Sequence, residues 1–212
     1  MEKLAQKIAG YIVNRILSLS EEQEEYIYFG LQLILESFVE AITIILISVS
    51  LRIFVETFVI LMVSGIFKLI SGGAHCNTFS SCYVFSIIVY PLAGMITKYL
   101  IGLNFITLPY MYFIFFISMV VCFFYAPAQV AVKPIDDSAR LYYKVASLLF
   151  ILSLFVVVVT LYLNDFRKLS IIISFAVAFQ VFFITPLGFF VTEAFDKLFY
   201  KVTHKHRRGV KL

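Results

Sequence analysis

His75 and Cys82 stand seven residues apart in the stretch SGGAHCNTFSSC, residues 71–82. A thiol is mostly protonated at neutral pH and becomes a strong nucleophile when an imidazole takes its proton. The two groups must then come within about 3–3.5 Å of each other. On one straight α-helix a spacing of seven puts both on the same face, yet ~10.5 Å apart along the axis. A Cys–His pair therefore requires the chain to bend between them. Gly72 and Gly73 supply backbone freedom just before His75. Asn77, Thr78, Ser80 and Ser81 are turn and cap formers. Ser80 or Ser81 is the expected N-cap of the next helix, which puts Cys82 in its first turn. There the helix dipole also favours a thiolate. Cys76 is the weaker candidate, because neighbours in sequence rarely aim at each other.

The elements around this connector are apolar. The 212 residues are 62% hydrophobic and only 14% charged, far from the balance of a soluble domain. Six apolar runs, at 28–51, 53–70, 82–101, 105–125, 145–163 and 169–191, approach or exceed the ~20 residues a helix needs to cross a bilayer. Backbone groups in lipid must be satisfied internally, so these runs are helices. The fold class expected is all-α, a polytopic membrane protein with about six transmembrane helices. Pro91 and Pro186 are expected to kink the third and sixth spans.

Residues 1–19 carry Leu4, Ile8, Ile12 and Ile16 at spacing four, the stripe of an interfacial amphipathic helix or, equally, of a helix packed on its own protein. Ser20 followed by Gln23 is a capping-box pattern that starts the first span near residue 21. The division expected is an interfacial helix at 1–19, a six-helix domain at 20–192, and a basic tail at 193–212. With six spans, thirteen lysines and arginines fall on the side of both termini and four on the other. The positive-inside rule makes this N-in, C-in, and places 71–82 and the 126–144 loop in a reducing cytoplasm.

The remaining chemistry is sparse. The three cysteines are an odd count without a Cys-x-x-Cys pair. That argues against a disulfide framework and a structural metal site. No cofactor and no nucleic-acid partner are expected. Glu36 and Glu40 share one helix face. They face a peptide groove, a partner chain or the membrane interface, with packing or a subunit interface favoured. A transporter or channel reading uses Glu36, Glu40, Gln180 and the two proline-bearing spans. A non-catalytic receptor is the third class.

The segment GGAHCNTFSSC resembles the signature of the AgrB family, membrane cysteine endopeptidases that process the AgrD propeptide of Gram-positive quorum sensing. The family pattern falls on Lys68, Gly72, Gly73, His75 and Cys82. The stretch APAQVAVKPIDDSAR resembles the family's second loop, with Ala126-Pro127 and Lys133-Pro134-Ile135 in register. The resemblance implies His75 and Cys82 as catalytic residues, and Lys68, Gly72, Gly73, Lys133 and Pro134 as substrate-binding or site-shaping. It also implies an AgrD-like propeptide as partner, a homodimer, and a bacterial plasma-membrane location with a cytoplasmic active site. Two positions depart from the pattern. Lys68 stands where the family usually has Arg, keeping the charge but not the bidentate fork. Gln129 and Val130 stand where an Asp-Thr-like pair is common, leaving Asp136 and Asp137 as substitutes.

Overall fold

A computed structural model describes residues 21–103, 107–128 and 137–208. The interfacial helix expected at 1–19, and Lys133, Pro134 and Asp136 of the second loop, lie outside the described residues. Among the described residues seven helices follow one another: α1 (Glu21–Ser50), α2 (Phe54–Ser71), α3 (Phe79–Gly102), α4 (Leu108–Tyr125), α5 (Asp137–Leu163), α6 (Arg167–Phe183) and α7 (Pro186–Arg208). Among the described residues there is no strand. The chain is an all-α polytopic membrane protein. Helices α1 to α5 are each long and apolar enough to cross a bilayer, and α6 with α7 makes a sixth candidate that is bent by 74°.

That bend falls at Pro186, where the sixth run is expected to kink, and it goes as far as a break at residues 184–185. Pro186 has no N–H to continue the ladder. Thr185 becomes the cap of a new helix, its Oγ1 accepting from Gly188 N at 3.4 Å. Gly188 lies against the turn, where an added Cβ would sit 2.5 Å from the Phe182 carbonyl oxygen. Pro91 behaves differently. Helix α3 runs through it unbroken, with Pro91 buried.

Helix α6 is the centre of the bundle. Ser170 to Ser174 are buried without interruption, and Ala176, Val177, Gln180 and Val181 continue the buried surface. It touches α2, α3, α4, α5 and α7. Small side chains let neighbours come close, and Ser170 Oγ donates to the Val158 carbonyl of α5 at 3.2 Å. The helices alternate in direction. At one end Gly72 pairs with Ala128, and Ala74 N donates to the Phe183 carbonyl at 2.8 Å. At the opposite end Lys98 Nζ donates to the Arg52 carbonyl at 2.7 Å.

Gly94 fixes the crossing of α2 and α3. A Cβ there would collide with the Thr57 hydroxyl, which is buried and makes no hydrogen bond. Gly94→Ala is expected to destabilise the folded protein by about 1–3 kcal/mol through overpacking. Adding Thr57→Ala removes the obstructing hydroxyl and should recover most of that loss. Unfolding in detergent by denaturant titration checks both, and no recovery in the double variant would refute this contact.

Candidate functional site

The segment between α2 and α3 is a strap, not a helix. Gly72 ends α2 at φ 68, with its N–H on the Lys68 carbonyl, and Gly73 follows at φ 138. Both values lie where L side chains are strained. Close approach adds a second requirement. A Cβ on Gly72 would collide with the Ala128 carbonyl, and one on Gly73 would lie 3.3 Å from the Phe183 oxygen.

The strap is held from three directions. Ala128 N donates to Ser71 O at 2.8 Å, and Gly73 N donates to Ala128 O at 3.3 Å. Ala74 N donates to Phe183 O, one of the last carbonyls of α6. Gln180 Nε2 donates to Gly72 O at 2.9 Å and lies 3.4 Å from Ser71 Oγ. Gln180 is 2% exposed, so its amide is a buried polar group that this bond satisfies. The second motif thus meets the first through backbone pairing, with Ala126-Pro127 leading into Ala128.

Thr78 then caps α3, its Oγ1 accepting from Ser81 N at 3.2 Å. The cap comes two to three residues earlier than the expected Ser80 or Ser81. Cys82 still falls in the first turn, with its N–H on Thr78 O at 3.0 Å. Asn77 N donates to Asp196 Oδ2 of α7 at 2.8 Å, and the Phe85 ring stands edge-on to Phe195 at 5.1 Å between centroids. These contacts fix the descending half of the strap.

The turn brings the two predicted groups together. The Cys82 side chain interacts with those of both His75 and Cys76, and electrostatically with Lys68. His75 is exposed and Cys82 half-buried. Cys76, the weaker candidate, also lies against Cys82. Its contact with Cys82, together with burial, pushes the Cys76 thiol above the ordinary range. Cys122 is buried in α4, away from the strap.

All three groups open onto a cleft of about 750 Å³ bounded by α1, α2, α3, α6 and Thr192 of α7. Lys68 lines it, as do Glu36 and Glu40. Of the places left open for the two acids, the groove is the one they occupy. Glu36 is buried and accepts from Gln32 Nε2 at 2.8 Å. Glu40 meets the Ser86 hydroxyl and senses both Lys68 and Cys82 electrostatically. Tyr90 lines the cleft as well, its Oη 3.1 Å from Ser64 Oγ. The spacing of Glu36 and Glu40 flagged a shared face. Only the α1–α3 contact, marked by Tyr83 Oη donating to Thr43 Oγ1 at 3.0 Å, says where that face points. Among the described residues no His, Cys, Asp and Glu cluster suits a metal ion.

The model of the Accessory gene regulator B (AgrB) family matches residues 5–184, which contain the strap, Lys68, His75, Cys82 and the second loop. The chain belongs to the AgrB family. An AgrB-like protein of Clostridium beijerinckii is 27% identical over 206 residues, 94% of this chain and 98% of its own length. An AgrB-like protein of Clostridium perfringens strain 13 is 23% identical over 90% of this chain and 94% of its own. The accessory gene regulator protein B of Staphylococcus saprophyticus is 25% identical over 73% and 80%. No solved structure matches. This AgrB-family chain keeps Gly72 and Gly73 at positive φ, and the strap makes that necessity physical.

Gly72→Ala is expected to destabilise the protein by at least about 1–2 kcal/mol, the penalty for a side chain at left-handed φ, before the Ala128 clash is added. Gly65→Ala is the control, since Gly65 lies inside α2 with open space around its Cβ and alanine favours a helix. Comparable losses in the two variants, read by unfolding in detergent, would contradict the strap geometry.

Proposed function

We propose that this AgrB-family protein is a membrane cysteine endopeptidase acting on a short AgrD-like propeptide, with Cys82 as nucleophile and His75 as general base. The observation that carries the reading is the meeting of His75 and Cys82, seven residues apart, across a non-helical strap at the edge of one cleft.

The chemistry follows from these positions. His75 takes the Cys82 thiol proton as the sulfur attacks a backbone carbonyl carbon of the bound peptide. The tetrahedral oxyanion forms in the cleft that Lys68 lines, where its charge already acts on the sulfur. His75 returns the proton to the leaving amine, the C-terminal fragment departs, and a thioester to Cys82 remains. A thiol or hydroxyl of the retained peptide then attacks the thioester, closing a thiolactone or lactone ring and restoring Cys82. Ring closure over hydrolysis needs the internal nucleophile held near and water kept away. The apolar wall formed by Phe79, Phe85, Phe179 and Phe183 serves both needs. The cleft volume sits inside the ~300–1,000 Å³ range of ligand sites, room for a peptide segment rather than a folded domain.

This reading keeps the remaining expectations as its parts. The cleft lies at the bundle end that the charge distribution assigns to the cytoplasm. Lys133 and Pro134 shape the substrate path, and Lys133, Arg140 and Lys144 attract an acidic peptide tail. Two copies form a homodimer, as the resemblance implies. The transporter reading loses a residue it needs, because Gln180 is engaged in holding the strap.

Cleavage of a co-expressed propeptide is expected to vanish in Cys82→Ala, and to fall by about 10²–10⁴-fold in His75→Ala through loss of the general base. Cys76→Ala should lower the rate by at most about tenfold, the worth of one hydrogen bond to the sulfur. Mass spectrometry of the released fragment reads all three. Persistent cleavage in Cys82→Ala would sink the assignment.

A further inference from the structure

Helix α7 does more than close the cleft. Its turns present three distinct faces. Thr192, Phe195 and Asp196 point inward, to the cleft wall, to Phe85 and to the strap. Leu187, Phe190, Val191, Leu198 and Val202 form one continuous outer stripe, with Leu187, Phe190, Leu198 and Val202 each at least 60% exposed. Between these faces Glu193 and Lys197 form an exposed ion pair at 2.7 Å. The helix contains two acids against five lysines and arginines, the excess gathered at its end in Lys201, Lys205, Arg207 and Arg208.

Its direction matters as much as its faces. The 74° bend after α6 turns α7 across the direction of the spans, at the bundle end where the cleft opens. An apolar stripe about 100° wide, lying crosswise at the end of a membrane bundle and ending in bases, fits the headgroup layer of an anionic leaflet. A second copy fits less well, since its own α7 brings the same excess positive charge.

We propose that α7 rests in the headgroup plane of an anionic leaflet, its outer stripe among the acyl chains and its basic end on lipid phosphates. The leaflet then holds the same helix that walls the cleft and ties the strap through Asp196. This inference rests on the membrane fold and stands or falls apart from the peptidase reading.

The chain contains no Trp, so one introduced residue reports alone. Full-length Leu198→Trp and Glu193→Trp proteins are placed in nanodiscs of phosphatidylcholine, with or without phosphatidylglycerol, carrying lipids brominated on the acyl chain. Leu198→Trp is expected to emit at shorter wavelength and to be quenched several-fold more than Glu193→Trp. That quenching should weaken without phosphatidylglycerol, or when Lys201, Lys205, Arg207 and Arg208 are changed to Gln. Both positions are exposed, and Phe190→Trp gives a second reading on the same stripe. Equal quenching at Leu198 and Glu193, or indifference to phosphatidylglycerol, overturns the proposal. So does cross-linking of Leu198→Cys between two copies, which would mean that a second chain covers the stripe.

Discussion

A chain that reverses direction inside an apolar bundle must find partners for its backbone polar groups within the protein, because lipid offers none. The strap from Gly72 to Thr78 meets that constraint, and the site depends on how it does so. Its N–H and C=O groups are taken by Ala128, by the end of α6, by Gln180 and by Asp196. Phe183 and Gln180 belong to α6, Asp196 to α7, and Ala128 to the segment that follows α4, so the strap pins the end of α2 to all three. The left-handed glycines are what let a side-chain-free backbone pass close enough to be pinned.

From this follows the placement of the chemistry. A spacing of seven would separate an imidazole and a thiol along a helix, whereas the pinned turn folds His75 back towards the first turn of α3. Thr78 starts that helix and sets the height of Cys82. Cys76 is carried along by the same turn and comes to lie beside the Cys82 sulfur. Lys68 sits one turn before the end of α2, so the helix that leads into the strap also carries a charge that acts on the sulfur. Glu40, beside the Ser86 hydroxyl, interacts electrostatically with that lysine from α1.

Much of this was legible in the residues. The spacing of His75 and Cys82 demanded a break, the paired glycines named its place, and the apolar runs gave the spans. What stayed hidden is long-range. Nothing local in Gln180 says that its amide will meet a carbonyl 108 residues earlier. Nothing in Ala128, a small apolar residue, announces a backbone pair with Gly72. The cap fell to Thr78 because its hydroxyl reaches the Ser81 N–H, a choice among adjacent hydroxyl residues that composition does not rank. The stop at Ile184–Thr185 needed both a proline without a donor and a glycine able to touch Phe182 and Phe183, and only the proline was read. Cys76 was set aside by a rule about sequence neighbours, yet its partner is six positions away across the turn.

The central claim is that the strap makes Cys82 the reactive sulfur by bringing His75 to it. Timed alkylation of the folded protein with iodoacetamide, resolved by mass spectrometry at each cysteine, tests this without any substrate. Cys82 should react faster than Cys76 and Cys122, and that lead should be lost in His75→Ala. A Cys82 that reacts no faster than Cys76, or whose rate is indifferent to His75, would contradict the account.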